Sequence, residues 1–264
     1  MFLMVFTSCL FIGSLVGFLA GLLGIGGGLI IVPTLVYLLP LINVDAQLVM
    51  PMALATSLAS IVVTSSSAAW IHHKQQNIPW PLAKILMIFV AMGALVGVYI
   101  ASTLSAKVLT TFFASAVIVL AIYMLFSIKN ENNHAMPNRF VLRVLGSCTG
   151  VLASLMGIAG GVVLVPTLSY FGLPLRQTIG VATVCGVVVA IFGSTGYIIS
   201  GWGQTQLPAW SLGYIYLPAL LGIVLSSSFF ARYGVRLATE LPVAKLKKFF
   251  AGFLILVAIK MIIQ

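Results

Sequence analysis

The chain is short of charge, and shortest of acid. Only 6% of its 264 residues are Asp, Glu, Lys or Arg, where a soluble domain carries about 25%. With 61% hydrophobic residues and a mean hydropathy of +1.21, it could not keep a soluble surface. An ordinary soluble enzyme or binding module is therefore excluded, and a polytopic membrane protein remains. The acidic residues are Asp45, Glu131 and Glu240, all in or beside connections between apolar runs. No carboxylate lies inside a span, where a proton relay usually needs one, so carboxylate-based proton coupling is disfavoured. Cysteine is scarce too. Cys9, Cys148 and Cys185 lie within apolar runs with no CxxC spacing, which supports no zinc or other metal site and reads as small buried hydrophobes. The spans hold no His-Ser pair, paired Asp or HExxH arrangement, so an intramembrane enzyme has little to work with. No cofactor is called for. No basic stretch precedes the first apolar run, so that run reads as a membrane helix rather than a cleavable signal peptide.

What the sequence has is base, glycine and long apolar runs. The net charge is +10. A basic protein can bind nucleic acid, but here the charges sit in short connections, as cytoplasmic loops facing anionic lipid do. Membrane lipid, not nucleic acid, is the expected surroundings, in the cytoplasmic membrane. Apolar stretches fall at about 2–23, 29–39, 46–69, 81–102, 107–128, 140–156, 162–172, 176–200, 207–230 and 245–263. A helix needs about 20 residues to cross the hydrocarbon core. The stretches 29–39 and 162–172 are about half that, and each ends near a helix-stopping signal: Pro40 in one case, Gly172 and Pro174 in the other. Trp70 and Trp80 bracket one connection at interface depth, and Trp202 and Trp210 another. His72 and His73, beside Lys74, read as interface histidines.

Both half-length stretches follow a glycine run. Gly24-Ile25-Gly26-Gly27-Gly28 leads to Val32-Pro33-Thr34-Leu35, and Gly157-Ile158-Ala159-Gly160-Gly161 leads to Val165-Pro166-Thr167-Leu168. The halves also align at Ala55-Thr56-Ser57 with Ala182-Thr183-Val184, at Gly97 with Gly222, and at Phe112-Phe113 with Phe249-Phe250. Such a repeat in an apolar chain points to a pseudo-symmetric transporter fold. The predicted architecture is all-α: residues 1–130 form a first membrane repeat, 131–139 a polar linker and 140–264 a second repeat. Each repeat has four long helices plus one short broken helix. If all ten stretches carry the chain across, every basic residue except Lys107 and Lys260 lies on one side. If the short ones do not cross, the basic residues divide almost evenly. The positive-inside rule prefers the first. Five crossings per half then invert the halves relative to each other and place both termini outside.

Consecutive glycines interrupt a helix and allow positive φ. The helix that restarts has N–H groups without intrahelical partners, at the positive end of its dipole. In lipid each unpaired donor costs several kcal/mol, and an anion satisfies such donors well. Two restarts, one from each half, could grip one small anion. The candidate substrate-binding residues are Gly24, Gly26, Gly27, Gly28, Gly157, Ala159, Gly160 and Gly161 through their backbone. Thr34, Thr56, Ser57, Thr167 and Thr183 are candidate hydroxyl donors. Pro33 and Pro166 are expected as helix-break residues.

The motif G-x-G-G-G-x-x-x-V-P, its second copy and the A-T-S and A-T-V segments resemble those of the TauE/SafE sulfite exporter family. The resemblance covers nearly the whole chain. It implies a permease moving a small anion, such as sulfite, a sulfonate or a related organosulfur or organic anion, across the cytoplasmic membrane. Ala159 stands where the first half has Gly26, and Val184-Cys185 where it has Ser57-Leu58, so the second half offers fewer hydroxyls. An anion channel of the same architecture is the alternative.

Overall fold

The computed structural model describes residues 2–23, 27–126, 137–238, 252 and 254–261. It is helical almost throughout. The first half holds α1 (Phe2–Leu23), α2 (Gly28–Leu38), α3 (Ala46–Lys74), α4 (Trp80–Thr103) and α5 (Ala106–Phe126). The second holds α6 (Arg139–Met156), α7 (Gly161–Tyr170), α8 (Leu175–Ser200), a two-strand hairpin (β1, Ser211–Leu212; β2, Ile215–Tyr216) and α9 (Leu217–Ala238), with residues 254–261 helical again. Among the described residues, α3, α4, α6, α8 and Ala106–Tyr123 of α5 are long and apolar enough to cross a membrane. Helices α1 and α9 have 22 residues each. Polar residues set several starts: Asp45 accepts from the Gln47 N–H at 2.8 Å before α3, and Asn138 from the Val141 N–H at 2.9 Å before α6. The expected linker, 131–139, lies outside the described residues except for its last few.

The short helices come out at 11 and 10 residues, roughly 15–17 Å at 1.5 Å per residue. Both run through their prolines, which lie inside α2 and α7. Pro33 and Pro166 therefore do not break these helices. Each proline is the sixth residue of its helix, so it leaves one carbonyl, Leu29 in α2 and Val162 in α7, without its i+4 donor while the helix continues. The expected stretch 207–230 is corrected as well. Its first part is the hairpin, and the helix begins only at Leu217.

Close contacts give the helix directions. In α4 against α6, Gly146 lies by Leu86, Gly150 by Val90 and Gly97 by Val151 and Ser154, so the two run parallel. In α1 against α9, Gly222 lies by Phe6, Gly13 by Ile223 and Gly17 by Ser227, again parallel. A methyl group on Gly17 or Gly150 would overlap the facing backbone, so these crossings depend on small residues. In α3 against α8, Leu58 lies by Gly193, Ser65 by Gly186 and Asn77 by Gly180, an antiparallel pair. In α4 against α8, Val98 lies by Gly196, and Met87 lines a groove with Val184 and Val187, so this pair is parallel. Since α6 and α8 both run along α4 in the same sense, the segment between them, α7 included, returns the chain. Helix α9 leaves the end of α8 after a hairpin whose Gly213 lies against Ile198. It thus runs opposite to α8, with α3 and α1, so α2 returns the chain between α1 and α3.

The core is aliphatic, with Leu54, Leu58, Ile61, Leu86 and Val90 fully buried. Large apolar side chains such as Tyr99, Val119 and Ile199 stand exposed, as they must where the solvent is lipid.

Candidate functional site

Helix α6 ends because Gly157 takes φ 61°, a left-handed conformation that a side chain makes costly. The Ile158 N–H then donates to the Ala153 carbonyl at 3.0 Å and the Gly157 N–H to the Ser154 carbonyl at 3.3 Å, which satisfies the helix end in the usual C-terminal pattern. The carbonyl of Gly157 turns inward and accepts a 2.6 Å hydrogen bond from Ser57 Oγ on α3. Helix α7 restarts at once: the Gly160 carbonyl accepts from Val163 and Leu164. The Gly161 and Val162 N–H groups precede these bonds and point back along the helix axis toward the break.

Helix α2 begins in the same manner. Gly27 has φ 73°, and its carbonyl accepts from the Ile30 and Ile31 N–H groups at 3.0 and 3.1 Å. Gly28 lies directly on the other break: a Cβ there would stand 2.7 Å from the Gly157 carbonyl oxygen and 3.0 Å from the Ile158 Cα. Around the same point, Leu54 and Val32 pack on Gly157. The start of α2 and the break before α7 thus meet inside the protein, with Ser57 beside them.

Other expected site residues are placed less simply. Gly24 and Gly26 lie outside the described residues. Ala159 packs on Gly186, which also faces Ser65 Oγ, and Gly160 faces the methyl group of Thr149 and Val189. Gly161 has room, with only Ala182 Cβ at 3.6 Å from a built methyl position. The surroundings of the second break are therefore largely aliphatic, and its polar side is the Ser57 side. Thr167 and Thr183 donate to carbonyls of their own helices, Val163 at 2.6 Å and Gly180 at 2.8 Å. Thr34 is half-buried on α2. Thr56, fully buried, accepts the Tyr216 N–H at 3.0 Å.

That last contact involves a part the sequence reading missed. The hairpin Ser211–Tyr216 tucks its Ile215 and Tyr216 into the bundle, both at least nine-tenths buried. Its signal was the two-residue turn Gly213-Tyr214, with Gly213 at φ 54°, the residue type and sign that tight hairpin turns demand. Tyr197 was also missed. It is buried on α8 and its hydroxyl donates to the Ser154 carbonyl at 3.4 Å, just before the break. A lone tyrosine in an apolar helix has to find such a partner. No group of three or more His, Cys, Asp or Glu that could hold a metal occurs among the described residues.

Comparison with known proteins gives a consistent result. Residues 9–261 match the family model described as sulfite exporter TauE/SafE. A probable membrane transporter protein of Haemophilus influenzae is 43% identical over 257 residues, covering 97% of each chain. One of Methanocaldococcus jannaschii is 25% identical over 89% of this chain and 87% of its own. A third, from Bacillus subtilis, is 27% identical over 71% of this chain and 77% of its own. No solved structure matches.

Proposed function

Because the chain belongs to the TauE/SafE sulfite exporter family, and is thus a multi-pass membrane transporter, we propose that its cargo is a small oxyanion, sulfite or a sulfonate, held where the two interrupted segments meet. The observation that carries the reading is the contact of Gly28 with Gly157 and Ile158. It brings the start of α2, from one half, against the break between α6 and α7, from the other, at one buried point. Each start presents N–H groups at the positive end of a helix dipole. Among the described residues the one acidic side chain, Asp45, stands at the foot of α3, so no described carboxylate there repels an anion.

The halves are two repeats of opposite orientation. The antiparallel course of α3 and α8, which are equivalent by the sequence alignment, supports this, as does the exchange of packing partners, α1 with α9 and α6 with α4. With the Lys74 end of α3 in the cytoplasm, α2 and α7 each complete a crossing while shielded by longer helices, as half-length helices must be. A negative interior potential then drives an anion outward by about 2.3 kcal/mol per charge per 100 mV.

Flux in proteoliposomes tests the reading. Radiolabelled sulfite should be taken up with saturation and exchanged by counterflow against unlabelled sulfite. A panel of sulfate, thiosulfate, sulfonates and small carboxylates ranks the cargo by competition. If none of these anions moves or competes, the assignment is wrong. Unsaturable, ohmic currents would make the protein a channel.

A further inference from the structure

A groove of about 410 Å³ lies away from the glycine junction, between α3, α4 and α8. Its walls are apolar, with Ala69, Met87, Val184, Val188 and Ile191 along it. At one end stand Trp70, His73 and Trp80, with His73 edge-on to Trp80 at 5.5 Å between ring centroids. The groove occupies the last third of α3, next to the connection at 75–79, so its aromatic end lies at the membrane interface. Trp70, His73 and Trp80 are all exposed there.

The three helices that wall the groove each place a cation at this same end. Lys74 follows Trp70 by four residues on α3, and its Nζ stands 5.3 Å from the centre of the Trp70 ring. Lys84 lies between Trp80 and Met87 at spacings of four and three on α4. Arg176 precedes Val184 by eight on α8. Helical periodicity puts Lys84 between the groove-lining Trp80 and Met87, and Lys74 and Arg176 toward the flanks of the groove; all three are exposed. The acidic residues of the whole chain, Asp45, Glu131 and Glu240, lie elsewhere in the sequence. An apolar trough whose described rim is cationic and aromatic, at the interface, has the chemistry of one ligand class.

We infer that this groove binds an anionic phospholipid of the cytoplasmic leaflet. One acyl chain lies along Met87, Val184, Val188 and Ile191, and the phosphate sits among Lys74, Lys84 and Arg176. The tryptophan indoles flank the glycerol region, where such rings settle. A zwitterionic lipid fits the trough equally well but offers no net charge to the rim, so the site selects by headgroup. The inference stands independently of the cargo.

Tryptophan quenching tests it. A Trp202→Phe/Trp210→Phe protein keeps only Trp70 and Trp80 and is reconstituted in phosphatidylcholine with increasing brominated-chain phosphatidylglycerol or brominated-chain phosphatidylcholine. Half-quenching is expected at a roughly fivefold or greater lower mole fraction of the brominated anionic lipid, the attraction of about one basic residue or more. Adding Lys74→Gln, Lys84→Gln and Arg176→Gln should make the curves coincide. Ser66→Phe fills the groove from its exposed edge and leaves the cations in place, and it should remove the advantage too. Coincident curves without these changes, or an advantage that survives either of them, overturns the proposal. Survival in Ser66→Phe would mean that the lipid is merely gathered around the basic loops.

Discussion

Two glycines four residues apart should respond unequally to the same added methyl group. At Gly157 the backbone has φ 61°, and a Cβ would stand 3.0 Å from Leu54 Cα, Leu54 Cδ2 and Val32 Cγ2. At Gly161, Ala182 Cβ is the one neighbour within 4 Å, at 3.6 Å, which is ordinary contact. The left-handed conformation alone costs a residue with a Cβ about 1–2 kcal/mol. The Leu54 backbone cannot yield as a flexible side-chain tip does, which adds to that figure. A substitution at Gly161 should stay within about 0.5 kcal/mol, since it neither strains the backbone nor meets a wall. For a chain of this size 1 kcal/mol shifts the unfolding midpoint by roughly 2–4 °C, so Gly157→Ala should melt several degrees below wild type and Gly161→Ala close to it. The assay is thermal unfolding of the purified protein in detergent, followed by tryptophan emission, with flux in proteoliposomes alongside. Equal midpoints for the two variants, or the lower one for Gly161→Ala, would refute the placement of the break.

Ser57→Ala removes the donor to the buried Gly157 carbonyl and should cost about 1–3 kcal/mol, the penalty of an unpaired buried acceptor. A variant that melts as wild type does shows that the bond contributes nothing. Thr56→Val leaves the Tyr216 N–H without its acceptor, so amide exchange across 211–216 should quicken while the rest of the bundle is unchanged; unaltered exchange there would contradict the tie. Helix directions predict opposite exposure for two connections. In a Cys148→Ser background, an impermeant maleimide should label Asn43→Cys in intact cells and Gln76→Cys only after permeabilisation. Labelling of both from one side would mean that α3 does not carry the chain across.

The short helices were legible because glycine and proline act locally. The stretches expected at 29–39 and 162–172 became Gly28–Leu38 and Gly161–Tyr170, each following its glycine run. That they cross is an expectation from the placement of lysine and arginine, with which the antiparallel course of α3 and α8 agrees. The hairpin was not, since Ile215 and Tyr216 add to a hydropathy run whether strand or helix, and the cue was one glycine. The hydroxyls were read only in part. Thr56 and Thr183 align in sequence, yet Thr56 meets the hairpin backbone while Thr183 bonds its own helix. What a helical hydroxyl finds depends on what the tertiary fold sets across from it, and local pattern carries no information about that. Proline misled: Pro33 and Pro166 looked like interruptions, yet each is the sixth residue of a helix that runs on through it with one N–H missing.

The arrangement bears on how the proposed cargo could gain entry. The junction is held shut in part by two hydrogen bonds between the halves, Ser57 to the Gly157 carbonyl and the Tyr216 N–H to Thr56. Each contributes a net 0.5–1.5 kcal/mol or so, which makes roughly 1–3 kcal/mol together. A ligand shifts such an equilibrium only by its differential affinity for the two states, and about 100-fold supplies 2.7 kcal/mol. On the proposed reading, an anion would find its charge-assisted bonds to the N–H groups of these helix starts only once the junction opens. These two ties alone therefore lie within reach of binding one small anion. On that proposal the hydroxyls of Ser57 and Thr56 are released next to the anion, so the side chains that tie the empty junction would become donors when it is filled.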